Sequence, residues 1–178
     1  MKKMVFSVMV ILLVLVGLVL STGAVGYESK QVIVSAWQSR SYTISEGDTV
    51  SLQAAWGACS PGLVKTFIAA SNWEVALDGE PLLTPDDVDG LWSAMVIFES
   101  PPWFAEYCLG VGRPAAAQWR YILSGLEPGT HVLHTSMRLN HTLTDGCDSD
   151  GDGRPDLFTP EGYTRDSDNT ITVEPVGQ

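Results

Sequence analysis

Basic residues are scarce in this chain. Lys and Arg number 10 against 21 Asp and Glu, for a formal net charge of −11, and no segment gathers them into a patch. A surface of that sign repels phosphate backbones and anionic bilayers, which excludes nucleic acid as a partner. Catalytic signatures are missing too: there is no G-x-S-x-G elbow, H-E-x-x-H helix, glycine-rich phosphate loop or C-G-x-C nucleophile context. Cysteine is limited to Cys59, Cys108 and Cys147. None of them falls in a C-x-x-C or Cys/His spacing that would hold zinc.

What is present begins with a basic Met1-Lys2-Lys3 and an apolar run of 17 residues, 4–20, followed by the small residues of Ala24-Val25-Gly26. This is the pattern of a secretory signal peptide, residues 1–26, cleaved after Gly26. The run also meets the short limit of a spanning helix, so an uncleaved anchor is the alternative and the chain's one route to a membrane. No cysteine follows the run, which excludes a lipoprotein anchor, and the short Lys-Lys start has a bacterial style. Cleavage leaves residues 27–178 as a single domain, secreted or at the cell surface, with Lys2 and Lys3 gone and the formal charge moved from −11 to −13. An oxidising compartment permits one disulfide and leaves one cysteine over. Three pairings are open. A structural bridge, a buried thiol and an intermolecular bridge are the readings in descending order.

The acidity is uneven, with residues 145–168 holding eight of the 21 carboxylates. Within them, Asp148-Ser149-Asp150-Gly151-Asp152-Gly153-Arg154-Pro155-Asp156 sets carboxylates at alternating positions with glycines between. Ca2+ is a hard cation that takes about six to eight oxygens in an irregular shell. Asp148, Asp150 and Asp152 occupy positions 1, 3 and 5 of such a loop. Gly153 stands at position 6, where the chain turns sharply, Arg154 offers its backbone carbonyl at position 7, and Asp156 falls at position 9. Crowded like charges are unfavourable without a counter-ion, so a solvated acidic turn is the weaker reading.

These residues resemble the D-x-D-x-D-G loop of EF-hands, dockerin repeats and thrombospondin type 3 repeats. The resemblance implies calcium, with Asp148, Asp150, Asp152, Arg154 and Asp156 as the metal site. Two departures exclude an EF-hand pair: position 12 is Thr159, where the bidentate Glu would stand, and residues 130–143 read as a strand. The closing carboxylate is expected from Asp145, Glu161, Asp166 or Asp168. An incomplete loop of this kind predicts a weak site suited to extracellular calcium.

The rest reads as all-β. Short β-branched or aromatic runs at 31–38, 41–44, 49–56, 73–77, 119–123, 130–143 and 169–173 are punctuated by Glu46-Gly47-Asp48, Asp78-Gly79 and Glu127-Pro128-Gly129. Val50, Leu52, Ala54 and Trp56 alternate with Ser51, Gln53 and Ala55, so one face is buried and the other wet. The pattern predicts an antiparallel β-sandwich that is similar to an immunoglobulin domain in architecture only, since Cys59 sits in a turn and no tyrosine stands two residues before Cys108 or Cys147. That architecture would bring the loops of Cys59 and Cys147 to one end and favours them as the pair. Ser60-Pro61 followed by Leu63, Phe67 and Ala70 predicts one short helix. Residues 81–117 predict a long irregular insertion with a strand only at 93–99, and Asp86-Asp87 reads as a helix cap or turn.

The expected function is that of an exported, calcium-stabilised β-sandwich, a non-catalytic binding or structural module whose partner is an extracellular protein or glycan. A carbohydrate-binding module using the Trp-rich stretch 92–119, with Trp92, Trp103 and Phe104 as a platform, is the second reading, set against tryptophans that fill the core. A secreted hydrolase with a carboxylate site is the third. His131, His134 and His141 read as strand histidines rather than a zinc site.

Overall fold

The computed structural model describes residues 28–99, 102–109, 113–158 and 163–177. The signal segment, Thr159 and Glu161 lie outside the described residues, as do the side chains of Trp103 and Phe104. Among the described residues nine strands run in chain order: β1 (Gln31–Ser35), β2 (Ser41–Ser45), β3 (Thr49–Ala58), β4 (Ser71–Leu77), β5 (Glu80–Leu83), β6 (Val96–Ile97), β7 (Ala115–Leu123), β8 (Gly129–Leu139) and β9 (Thr164–Glu174). Helix α1 (Pro61–Ala70) joins β3 to β4, α2 (Pro85–Asp89) follows β5, and a 3-10 turn spans Trp103–Tyr107. Among the described residues no helix is long and apolar enough to cross a membrane.

The strands form two sheets, ordered β1-β3-β7-β6 and β2-β9-β8-β4-β5. Both are mixed, which corrects the purely antiparallel expectation: β1 runs parallel to β3, and β2 parallel to β9. The cause is a corner at residues 36–40, where the chain leaves one sheet, reverses and enters the other. Strand 1 accordingly stops at Ser35, short of the run to residue 38 read from the sequence. Fully buried Asn169 holds that corner, donating from Nδ2 to Ser35 O at 3.2 Å and accepting from Arg40 N at 3.2 Å. The buried hydroxyls of Thr135 and Ser167 each reach Ala36 O at 3.0 Å. These are buried polar groups with partners, as buried polar groups require.

One core lies between the sheets. Val34, Val50, Leu52, Trp119 and Leu123 from the first meet Ile44, Trp73, Val75, Leu133, Met137, Ile171 and Val173 from the second. Ser51 departs from the simple alternation. It is buried although it points away from the core, because its register partners Ile33 and Ile122 flank it across the sheet. Trp37, Trp56, Trp73, Trp92 and Trp119 join a continuous set of ring contacts. Trp37 meets Trp73 edge-on at 4.9 Å, Trp73 meets Trp119 at 5.2 Å, Trp56 stacks on Phe67 at 4.0 Å, and Trp92 meets Phe67 at 6.3 Å. Trp92 therefore spends its ring on packing.

Local signals account for the connections. Ser60 caps α1 by accepting from Leu63 N, with Pro61 in the first turn, and Val64, Phe67 and Ala70 are its buried face. Asp78 and Gly79 both adopt positive φ, 53° and 85°, which makes the tight turn between β4 and β5. The stretch 81–117 is more regular than its breakers suggest. Thr84 and Asp87 form a reciprocal capping box that starts α2. The strand expected at 93–99 shrinks to β6, held to β7 by pairing with Ala115 and Ala116.

Candidate metal centre

The acidic loop lies between β8 and β9 and is closed at a neck. Leu143 and Phe158 exchange both backbone hydrogen bonds, at 2.9 and 2.7 Å, and Asp156 N donates to Cys147 O at 2.6 Å. The Phe158 ring anchors the exit between Trp56 and Tyr163. Inside the neck, carboxylate oxygens of Asp148, Asp150 and Asp152 lie within 4.8 Å of one another. Their orientation is set by the loop's own amides. Asp148 Oδ1 accepts from Gly151 N at 2.8 Å and Asp152 N at 3.1 Å, and its Oδ2 accepts from Gly153 N at 2.9 Å. Asp150 Oδ1 accepts from Asp152 N at 3.1 Å, and Asp152 Oδ1 from Arg154 N at 2.8 Å. Gly151 and Gly153 take φ of 78° and 83°, the left-handed turns that let successive amides face inward.

This donor set suits a hard divalent ion. Three carboxylates converge with lone pairs remaining, and Arg154 at position 7 has its amide pinned to Asp152. Asp156 is not one of the converging three. Its carboxylate accepts from Ser149 N at 3.1 Å and from the Ser149 hydroxyl, bracing the loop at its neck. Of the carboxylates expected to close the shell, two are engaged elsewhere and Glu161 lies outside the described residues. Asp145 Oδ1 accepts from Cys147 N at 2.8 Å, and Asp168 Oδ1 lies 2.7 Å from His134 Nδ1. Asp166 lies on β9 opposite Ser136.

Two other connections meet this loop. Cys59, after β3, is disulfide-bonded to Cys108, before β7, with a Cα separation of 5.6 Å. Cys147, at the loop's entrance, brings its sulfur to 3.6 Å from Cys59 Sγ. The favoured Cys59–Cys147 pair is thus replaced by Cys59–Cys108, because the 3-10 turn carries Cys108 into the same corner, where it forms a backbone bridge with Cys147. Asp148 N donates to Tyr107 O and Cys59 N to Asp145 O, each at 2.8 Å. Burial, with Asp145 and then Asp156 nearby, pushes the Cys147 thiol up to about 11. A cavity of about 500 Å3 opens on the other side of Cys147, walled by Trp37, Trp56, Tyr163, Asp145 and Arg165. Sequence reasoning missed it, since its walls come from five separate segments.

His131 and His134 lie within β8, whereas His141 stands at the start of the β8–β9 connection. His131 is paired with Asp78 and His134 with Asp168, and neither belongs to a metal-ligating group among the described residues.

No protein-family model matches the chain, and no curated protein matches it. Among solved structures it is similar to a cysteine protease inhibitor, EhICP2, from Entamoeba histolytica, at 12% identity and a TM-score of 0.37, over 84% of this chain and 100% of that one. It is similar to PbICP-C, solved in complex with falcipain-2, at 13% identity and 0.33, over 82% and 100%. Amebosin matches at 11% and 0.32, over 83% and 99%. Likeness this distant carries no inference about activity.

Proposed function

We propose that the chain is an exported, calcium-stabilised β-sandwich that serves as a non-catalytic binding or structural module at the cell surface or outside the cell. The observation that carries the reading is the convergence of Asp148, Asp150 and Asp152 within 4.8 Å in a loop whose amides already orient them. Bound calcium offsets the repulsion among these carboxylates, and the stability gained follows mass action with free calcium. The backbone carbonyl of Arg154 and, through water, Asp156 complete the set.

We read the sandwich as immunoglobulin-like. The sheet orders β1-β3-β7-β6 and β2-β9-β8-β4-β5 support this by following the A-B-E-D and G-F-C order of that fold, with the parallel course of β1 as a departure. In that reading the β3–β4, β6–β7 and β8–β9 connections share one end and present the surface that meets an extracellular protein or glycan. Calcium holds the largest of the three in one conformation.

The test is thermal unfolding of the chain from residue 27 onward with millimolar calcium, with magnesium and with chelator, for wild type and Asp150→Ala. A calcium-specific rise in midpoint that the substitution abolishes is expected. A midpoint indifferent to calcium overturns the reading.

A further inference from the structure

We infer that the three cysteines form a thiol relay that makes Cys108 a site of mixed-disulfide formation with a small-molecule disulfide. The geometry supplies the parts. A disulfide joins Cys59 to Cys108, a thiol on Cys147 sits 3.6 Å from Cys59 Sγ, and all three sulfurs lie within 4.8 Å of one another. Cys59 and Cys147 are buried, at 4% and 8% exposure, whereas Cys108 is half-buried between the exposed Tyr107 and Leu109. The relay moves a thiol from the inside of the cluster to its accessible side.

The chemistry is redox-neutral. Burial holds the Cys147 thiol at about 11, so only a small fraction is thiolate at mildly alkaline pH and the exchange is slow; that thiolate attacks Cys59 Sγ, so that the Cys59–Cys147 bond forms, the Cys59–Cys108 bond breaks and Cys108 leaves as thiolate. The proton released by Cys147 is balanced by the one Cys108 can take up. Cys108 thiolate then attacks an external disulfide RSSR, giving Cys108–S–S–R and releasing RSH after protonation. Cys147 stands beside the existing bond and not behind it, so the first attack needs a rotation of its side chain. The Cys108–Cys147 bridge and the Cys59 N to Asp145 O hydrogen bond hold the three segments against one another. Exchange transfers the covalent tether of Cys59 from the β6–β7 connection to the loop between β8 and β9, and the relay does not depend on calcium. Its competitor is a Cys147 that merely packs.

The test incubates the full oxidised chain with glutathione disulfide at mildly alkaline pH, quenches with acid and maps the linkages. Cleavage after Lys65, Arg120, Arg138 and Arg165 puts the three cysteines on three different peptides. The expected product carries glutathione on Cys108 with Cys59 linked to Cys147, and Cys147→Ser loses the adduct while keeping Cys59–Cys108. Glutathione on Cys147 with Cys59–Cys108 intact, or no adduct, overturns the relay. Cys108→Ser is expected to form Cys59–Cys147. If that variant has the wild-type near-ultraviolet circular dichroism and two unlinked thiols, the relay is also overturned, and if it does not fold, the wild-type adduct map decides.

Discussion

Gly146 is pressed against Cys59: a Cβ added to Gly146 would lie 2.9 Å from Cys59 Cβ, and also 2.9 Å from Leu63 Cδ1. Its φ of 83° is one that L side chains rarely adopt. This contact is the seam between the acidic loop and α1. Gly146→Ala therefore combines a left-handed backbone with overpacking, at a combined cost of about 2–4 kcal/mol. Gly125→Ala is the control, since its φ is 71° but nothing lies within 4 Å of the added carbon. Urea unfolding should show the first clearly more damaging than the second. Equal losses would mean that only the backbone conformation matters and that the seam can yield.

Asp148 and Asp150 differ in what they do before any ion arrives. Asp148 accepts three backbone N–H groups and Asp150 one. Asp148→Ala should lower the midpoint even in chelator, by the equivalent of about 1 kcal/mol. Asp150→Ala should leave the chelator midpoint close to wild type and remove only the calcium response. Differential scanning calorimetry in both conditions separates the two roles. A chelator midpoint equal for both variants would show that the amide contacts of Asp148 do not order the loop.

How far these features could be read from the sequence depends on whether their causes are local. Asp148, Asp150 and Asp152 could be placed because a loop's spacing determines which side chains converge. Ser60-Pro61 and Asp78-Gly79 were legible for the same reason, since a cap and a positive-φ turn act over three or four residues. The disulfide was not, because Cys59 and Cys108 are 49 residues apart and meet only through the 3-10 turn. The parallel pairings of β1 with β3 and of β2 with β9 were hidden likewise, as they depend on a corner pinned by Asn169, far along the chain. Composition also could not tell Asp145 and Asp168 from ion ligands. The ring of His134 reaches Asp168 only once β8 and β9 are paired, while the amide of Cys147 lies two residues from Asp145, a local contact that composition does not reveal.

Asp48 is a further case in which burial decides the outcome. Its residue is 6% exposed, and its two carboxylate oxygens accept from Lys30 N at 2.7 Å and Ser45 N at 2.9 Å. It thereby ties the approach to β1 to the turn between β2 and β3. Asp48→Ala strips two part-buried amides of their acceptor and should cost about 1–2 kcal/mol, whereas Asp86→Ala, on the exposed face of α2, should cost little. Denaturant midpoints compare them directly. Near-equal midpoints would mean that water replaces the Asp48 carboxylate.

His131 carries the pH dependence. Its Nδ1 is 2.8 Å from Asp78 Oδ2 and its Nε2 is 2.9 Å from Glu127 O, so both ring nitrogens face acceptors and the doubly protonated ring satisfies both. The hydrogen bond to Asp78, then that to the Glu127 carbonyl, raises His131 above its ordinary 6.5. In the other direction, the His131 contact and then the Val132 amide lower Asp78 below 3.8. The signs follow from linkage. The His131 contribution is complete below 6.5 and is lost as pH rises through the raised value. The Asp78 contribution is complete above 3.8 and is lost as pH falls through the lowered one. The pair thus stabilises the fold most between these limits. Between about pH 5.5 and pH 8.5, which bracket the histidine range, wild type should lose urea stability relative to His131→Gln. Parallel pH profiles for the two proteins would show that the ring stays neutral and that the contact with Asp78 is structural without being charged.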